Sequence, residues 1–164
     1  MTLTLPILAL FITAVATVTD LRGRRIPNWL TYSSAALGLV LHGTFGGPPG
    51  LIAALLSALF AAAVFLPIFW LRGIGGGDTK LAIALGCVYG DFTTTTRLLL
   101  FTTVGAAIFA CVHAWKKGVL EASLRRLWSK EARATTPPLT FAYAPAFLFG
   151  AAVVALQAIL ALIG

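Results

Sequence analysis

The chain has 164 residues, of which 59% are hydrophobic and only 10% charged. A water-soluble domain of this length cannot hide so much apolar surface, so the composition excludes a soluble globular protein and points to a chain whose solvent is lipid. The net charge of +7 does not indicate a nucleic-acid partner, because the basic residues lie in short segments between apolar runs and so report membrane topology.

The apolar runs are rich in Ala and Leu and lack the alternating polar pattern of an outer-membrane barrel. The expected fold is all-α: one polytopic helical bundle over 1–164, with about six transmembrane helices and a cytoplasmic amphipathic helix. The first span is read at about Leu3–Thr19. It has no Lys or Arg before it and a basic cluster after it, so it is expected to be a retained span and not a cleaved signal peptide. Asp20–Asn28 follows as a loop carrying Arg22, Arg24 and Arg25. Span two is placed at about Trp29–His42, an uncharged Gly/Pro turn at Gly43–Gly50, and span three at about Leu51–Leu71. Arg72–Gly77 is a short glycine-rich loop. Span four is expected at Asp78–Gly90 and the loop after it at Asp91–Thr96. Span five covers about Arg97–Trp115, and span six about Leu139–Ile163.

Between the last two spans lies the longest polar stretch, Lys116–Pro138. Within it, Lys116–Arg133 mixes Val119, Leu120, Leu124, Leu127 and Trp128 with six basic and two acidic residues. The apolar positions recur at helical spacing, which predicts an amphipathic helix on the inner membrane surface; a solvated linker is the plainer reading. Pro137-Pro138 ends it. Spans two and four fall short of the ~20 residues needed to cross the hydrocarbon core.

Orientation follows from the positive charges. If the loops after spans one, three and five share one side, that side collects 11 of the 12 Lys and Arg residues, and Arg97 stands alone on the other. The basic side is expected to be cytoplasmic and both termini periplasmic. Cys87 and Cys111 fall inside apolar runs and are read as small core residues, not a disulfide or metal site. His42 and His113 are too far apart in this topology to form a metal pair.

Two of the five acidic residues occupy costly positions. Asp20 ends the first apolar run, and Asp78 opens the fourth directly after Gly75-Gly76-Gly77. A carboxylate at the mouth of a membrane helix needs water, a partner or a substrate. Both fall on the basic side, although they are 58 residues apart in sequence. A bundle can bring them together as an acid/base pair sharing one proton. Helix dipoles favour the anion at Asp78 and disfavour it at Asp20, while the nearby arginines push the other way at Asp20, so the sequence leaves the roles open. The three glycines suit a loop whose backbone must come close to an extended substrate, or simply a flexible turn. Lys80 either meets a substrate carboxylate and tunes Asp78, or anchors the helix at the interface. Pro27 and Asn28 shape the turn into span two. Pro145 is read as a kink in the last span or an opening to the site, Trp29 as a possible groove wall, and Asp91 as a solvated loop or cap residue.

Gly75-Gly76-Gly77-Asp78-Thr79-Lys80-Leu81 resembles the glycine-x-glycine-aspartate motif of the type IV prepilin peptidases. Asp20 to Thr31, with its Ile26-Pro27-Asn28-Trp29-Leu30-Thr31 continuation, is similar to the first aspartate region of that family. Phe141-Ala142-Tyr143-Ala144-Pro145-Ala146 resembles the proline-containing segment that opens its last span. The resemblance implies an aspartic protease of the bacterial inner membrane that removes leaders from prepilins or pseudopilins on the cytoplasmic side. Asp20 and Asp78 are then the catalytic pair, water is the nucleophile, and no metal or organic cofactor is needed. The paired-cysteine insert of the larger, methylating members has no counterpart here. The short, peptidase-only form associated with Flp or tight-adherence pili is therefore implied. The alternative is a small transporter or pilus assembly-platform protein that uses the two aspartates for ions or helix contacts.

Overall fold

The computed structural model describes residues 3–71, 73–116 and 143–163, and all five of its regular elements are helices. They are α1 (Thr4–Gly23), α2 (Asn28–Trp70), α3 (Gly76–Tyr89), α4 (Phe92–Lys116) and α5 (Ala144–Ile163). Among the described residues four helices are long and apolar enough to cross a membrane: α1, α2, the Phe92–Val112 part of α4, and α5. Large apolar side chains such as Phe11, Leu59, Leu100 and Leu160 are exposed along them. Exposed apolar flanks of this extent are what lipid contact requires, and the chain is a multi-pass membrane protein.

Helix α1 forms from a β-branched and aliphatic run whose hydroxyls need internal partners. The Thr13 hydroxyl donates to the Ala9 carbonyl (2.8 Å), and that of Thr17 to the Thr13 carbonyl (2.7 Å), so neither meets the apolar core unpaired. The helix ends where Arg24 enters the left-handed region (φ 48°) and its N–H returns to the Asp20 carbonyl at 2.8 Å. It therefore runs four residues beyond the expected end at Thr19. Asp20 belongs to the last helical turn and not to a loop.

A straight helix of 43 residues would measure about 65 Å, twice the thickness of a hydrocarbon core. Helix α2 avoids this by reversing at Gly47, whose φ of 62° and ψ of −158° break the helix just ahead of Pro48 and Pro49. A Cβ added at Gly50 would lie 2.6 Å from the carbonyl oxygen of His42, which an unbroken helix would leave about 12 Å away. The two arms, 28–46 and 48–70, thus form a helical hairpin. The expected turn at 43–50 is present, but it is tighter than expected because the helix persists to its apex.

The hairpin holds α3 between its arms. A Cβ at Gly38 would come within 2.6 Å of the Cys87 backbone, and one at Gly86 within 2.9 Å of Ala58 Cα. Only glycine allows this approach. Gly38→Ala is expected to lower stability by roughly 1–3 kcal/mol, because the obstructing atoms are backbone and cannot rotate away. Thermal unfolding in detergent would read the loss. At one end of the sandwich Lys80 Nζ donates to Asn28 Oδ1 (3.0 Å). At the other, His42 Nε2 lies 3.0 Å from the Val88 carbonyl, next to the left-handed Gly90 that closes α3. Residues 84–89 are buried without a gap, so the C-terminal half of α3 is surrounded on all sides.

Asp91 caps α4. Thr94 donates to its Oδ2 from both N–H (2.7 Å) and hydroxyl (2.8 Å). Partial burial works against the anion, but these bonds and the nearby Arg97 draw the Asp91 carboxyl below its ordinary range. This cap, with the Thr96 hydroxyl bonding back to the Phe92 carbonyl (2.7 Å), extends helix over the expected loop at 92–96. Helix α5 packs along α1 and α4; Gly150 meets Thr102, and Phe147 lies 5.7 Å from the Phe65 ring. The core joins Ile12, Leu81, Leu85, Leu98 and Phe147. Cys87 is buried as expected, whereas Cys111 is exposed on α4. The expected amphipathic helix and Pro137-Pro138 lie outside the described residues.

Candidate active site

The overrun of α1 past Thr19 decides where its carboxylate goes. Asp20 sits on the final turn, 8% exposed, and its Oδ2 accepts a hydrogen bond from the Ala144 N–H at 3.2 Å. Ala144 is the first residue of α5, so two helix ends 124 residues apart meet at this carboxylate. Asp78 is the third residue of α3, in its first turn, and the N–H groups of Gly75 and of Asp78 itself lie against its carboxylate. Its Oδ1 is buried and has no hydrogen-bond partner.

Both aspartates line one cavity of about 490 Å³ and lie within Coulomb range of each other. The rest of its wall comes from two connections. Arg24 to Asn28 form one side, and Gly75, Gly76 and Gly77 the other. Of the residues singled out in the sequence, Asp20, Asp78, Pro27, Asn28 and the three glycines are therefore brought together. Pro27 has φ −63° and ψ 137°, and its carbonyl accepts the Leu30 N–H at 3.1 Å, so it sets the entry of α2 as its chemistry suggests.

The glycines do not serve the chain through a left-handed backbone. Among the described residues only Gly47 and Gly90 combine glycine with positive φ, and Gly75 has an ordinary extended conformation (φ −77°, ψ 153°). What Gly75–Gly77 supply is space. A Cβ at Gly75 would stand 2.9 Å from Asp78 Oδ2, one at Gly77 3.3 Å from Ile26 Cβ, and one at Gly76 3.4 Å from the Phe69 ring.

Lys80 does not line the cavity. Its ammonium bonds to Asn28 and lies 5.5 Å from the centre of the Tyr32 ring, tying α3 to the start of α2. Trp29 is 64% exposed and also outside the cavity wall. Pro145 is the second residue of α5, where a missing N–H costs nothing, so it starts the helix and does not kink it.

Two participants went unassigned in the sequence. The Ala144 N–H is a backbone group and leaves no mark in residue type. Tyr143 precedes it, and burial, then the Asp78 charge nearby, push its phenol above the ordinary range. The only signal for either was the Phe141–Ala146 stretch itself.

Two carboxylates in one cavity, one of them held by a backbone N–H, can pass a proton between water and a substrate. Comparison with curated proteins and with solved structures gave no match. The model of the type IV leader peptidase family matches residues 7–114, more than half of the chain and including both aspartates. This sequence match, over a region that contains the shared carboxylate cavity, makes the chain a member of the type IV leader peptidase family.

Proposed function

We propose that the protein is an inner-membrane aspartic endopeptidase that removes the leader from prepilin-like or pseudopilin-like precursors on the cytoplasmic side. The observation that carries this reading is the convergence of Asp20 and Asp78 on one cavity beside the glycine loop. In the proposed reaction the pair holds one proton. One carboxylate takes a proton from water as the oxygen attacks the scissile carbonyl carbon, and the other donates to the carbonyl oxygen. The tetrahedral intermediate then expels the amine: one carboxylic acid gives its proton to the departing nitrogen while the other carboxylate takes a proton from a hydroxyl of the intermediate, which collapses to the new C-terminal acid and leaves the pair again with one proton. Because one proton must be present and one absent, the rate is expected to follow a bell-shaped pH profile.

The bundle is read as six passes: α1, the two arms of α2, α3, α4 and α5, with both termini periplasmic. The end of the bundle that holds the cavity also carries Arg24, Arg25 and Lys80, which supports a cytoplasmic site. The activity is read as peptidase-only.

The test is cleavage by the purified protein in detergent micelles. A prepilin is expected to lose its leader, while a precursor with an ordinary signal peptide stays intact. Mass spectrometry should find the new N-terminus without an added methyl group. Failure to trim any prepilin across the pH range would leave the transporter or platform reading in its place.

A further inference from the structure

The head of α5 makes a contact that the family match, which stops at residue 114, does not reach. Ala144 is fully buried, and its N–H donates to Asp20 Oδ2. The next amide in line belongs to Pro145 and has no hydrogen, and the Ala146 N–H is taken up by the Tyr143 carbonyl at 2.9 Å. Of these three consecutive backbone positions, only Ala144 offers its hydrogen to Asp20.

We propose that the Ala144 N–H is a positioning group for the reaction: it occupies Oδ2 of Asp20 and fixes the carboxylate so that Oδ1 is the oxygen that works on water or substrate. The idea rests on the protease reading above. Its physical basis is that a carboxylate can present either oxygen by turning about χ2, and a bond from a helix start already packed against α1 selects one of the two. Helix α5 also packs along α1, so the donor and its acceptor are carried on elements already locked together. In this arrangement α5 holds Asp20 from behind, outside the cavity lining.

The experiment removes the hydrogen and keeps the rest. Ala144→Pro deletes the N–H at a helix start, where proline fits, but it newly restricts Tyr143 and puts a ring carbon where the hydrogen was, so an ester in place of this amide is the cleaner control. Prepilin cleavage by Ala144→Pro is expected to show kcat reduced about 10- to 100-fold with KM within about two-fold of the parent, the size of losing one bond to a charged group. Ala144→Gly, which keeps the N–H, is expected to recover most of that loss. If Ala144→Pro does not fold in detergent, replacing Ala144 by lactate through an ester linkage removes the same hydrogen with no added atoms, and the same kcat loss is expected. Unchanged kcat in the proline or ester form, with the parent active, would overturn the positioning role while leaving the protease reading intact. An equal loss in Ala144→Gly would also overturn it, since the side-chain volume and not the N–H would then matter. If the parent itself cleaves no prepilin, the protease reading has failed instead.

Discussion

Asp20→Asn and Asp78→Asn are each expected to cut prepilin cleavage by about 10³- to 10⁴-fold, with insertion and folding retained. The substitution is close to isosteric. An asparagine at 20 can still present a carbonyl oxygen to the Ala144 N–H, so the packing between α1 and α5 has no reason to fail. What it cannot do is exchange a proton with water near neutral pH. At 78 the same change removes the acid that shares the cavity. In the proposed mechanism the pair acts as a unit, so the double variant is expected to be no worse than either single one. Rates measured side by side on one prepilin, with melting curves for each variant, would check both statements. A single variant with parental activity would remove the dyad from consideration.

Gly75→Ala is expected to produce the second-largest effect, and one that separates activity from stability. The added Cβ would stand 2.9 Å from Asp78 Oδ2, which is too close. The obstructed atom is the end of a side chain, so the fold can relieve the contact by rotating the carboxylate. Stability should change by less than about 1 kcal/mol. The rotation, however, moves a reacting group by a substantial fraction of an ångström, and misplacement on that scale costs about 10²-fold in rate. Gly77→Ala, whose Cβ meets Ile26 at 3.3 Å and no aspartate, is the comparison, with a milder loss expected. Cleavage rates against melting temperatures for the two variants would show whether only Gly75 separates them.

Much of this arrangement was legible in the sequence because it follows from residue type. Two acids in a chain with five have to be accounted for, and the segregation of Arg and Lys put both at one end of the bundle before any coordinates. The glycine run marked the approach to Asp78. The closeness of Gly75 to the Asp78 carboxylate was not legible, because it depends on how the chain turns into α3. Helix ends were misjudged where a cap or a carbonyl decided them. Asp91 pulled the threonines 93–96 into α4, and the Asp20 carbonyl drew Arg24 into the closing turn of α1. The Ala144 N–H was invisible because it belongs to the backbone.

The enclosure of α3 has a further consequence. Its 14 residues give about 21 Å of helix, some 9 Å less than a hydrocarbon core. A span that short in contact with acyl chains would force the bilayer to thin around it. Because 84–89 are covered on every side by protein, α3 meets no acyl chains there and feels no such mismatch. The longer outer helices meet the lipid along their exposed apolar flanks and can tilt to follow its thickness. The C-terminal half of the helix that carries Asp78 is thus packed in protein and not in lipid.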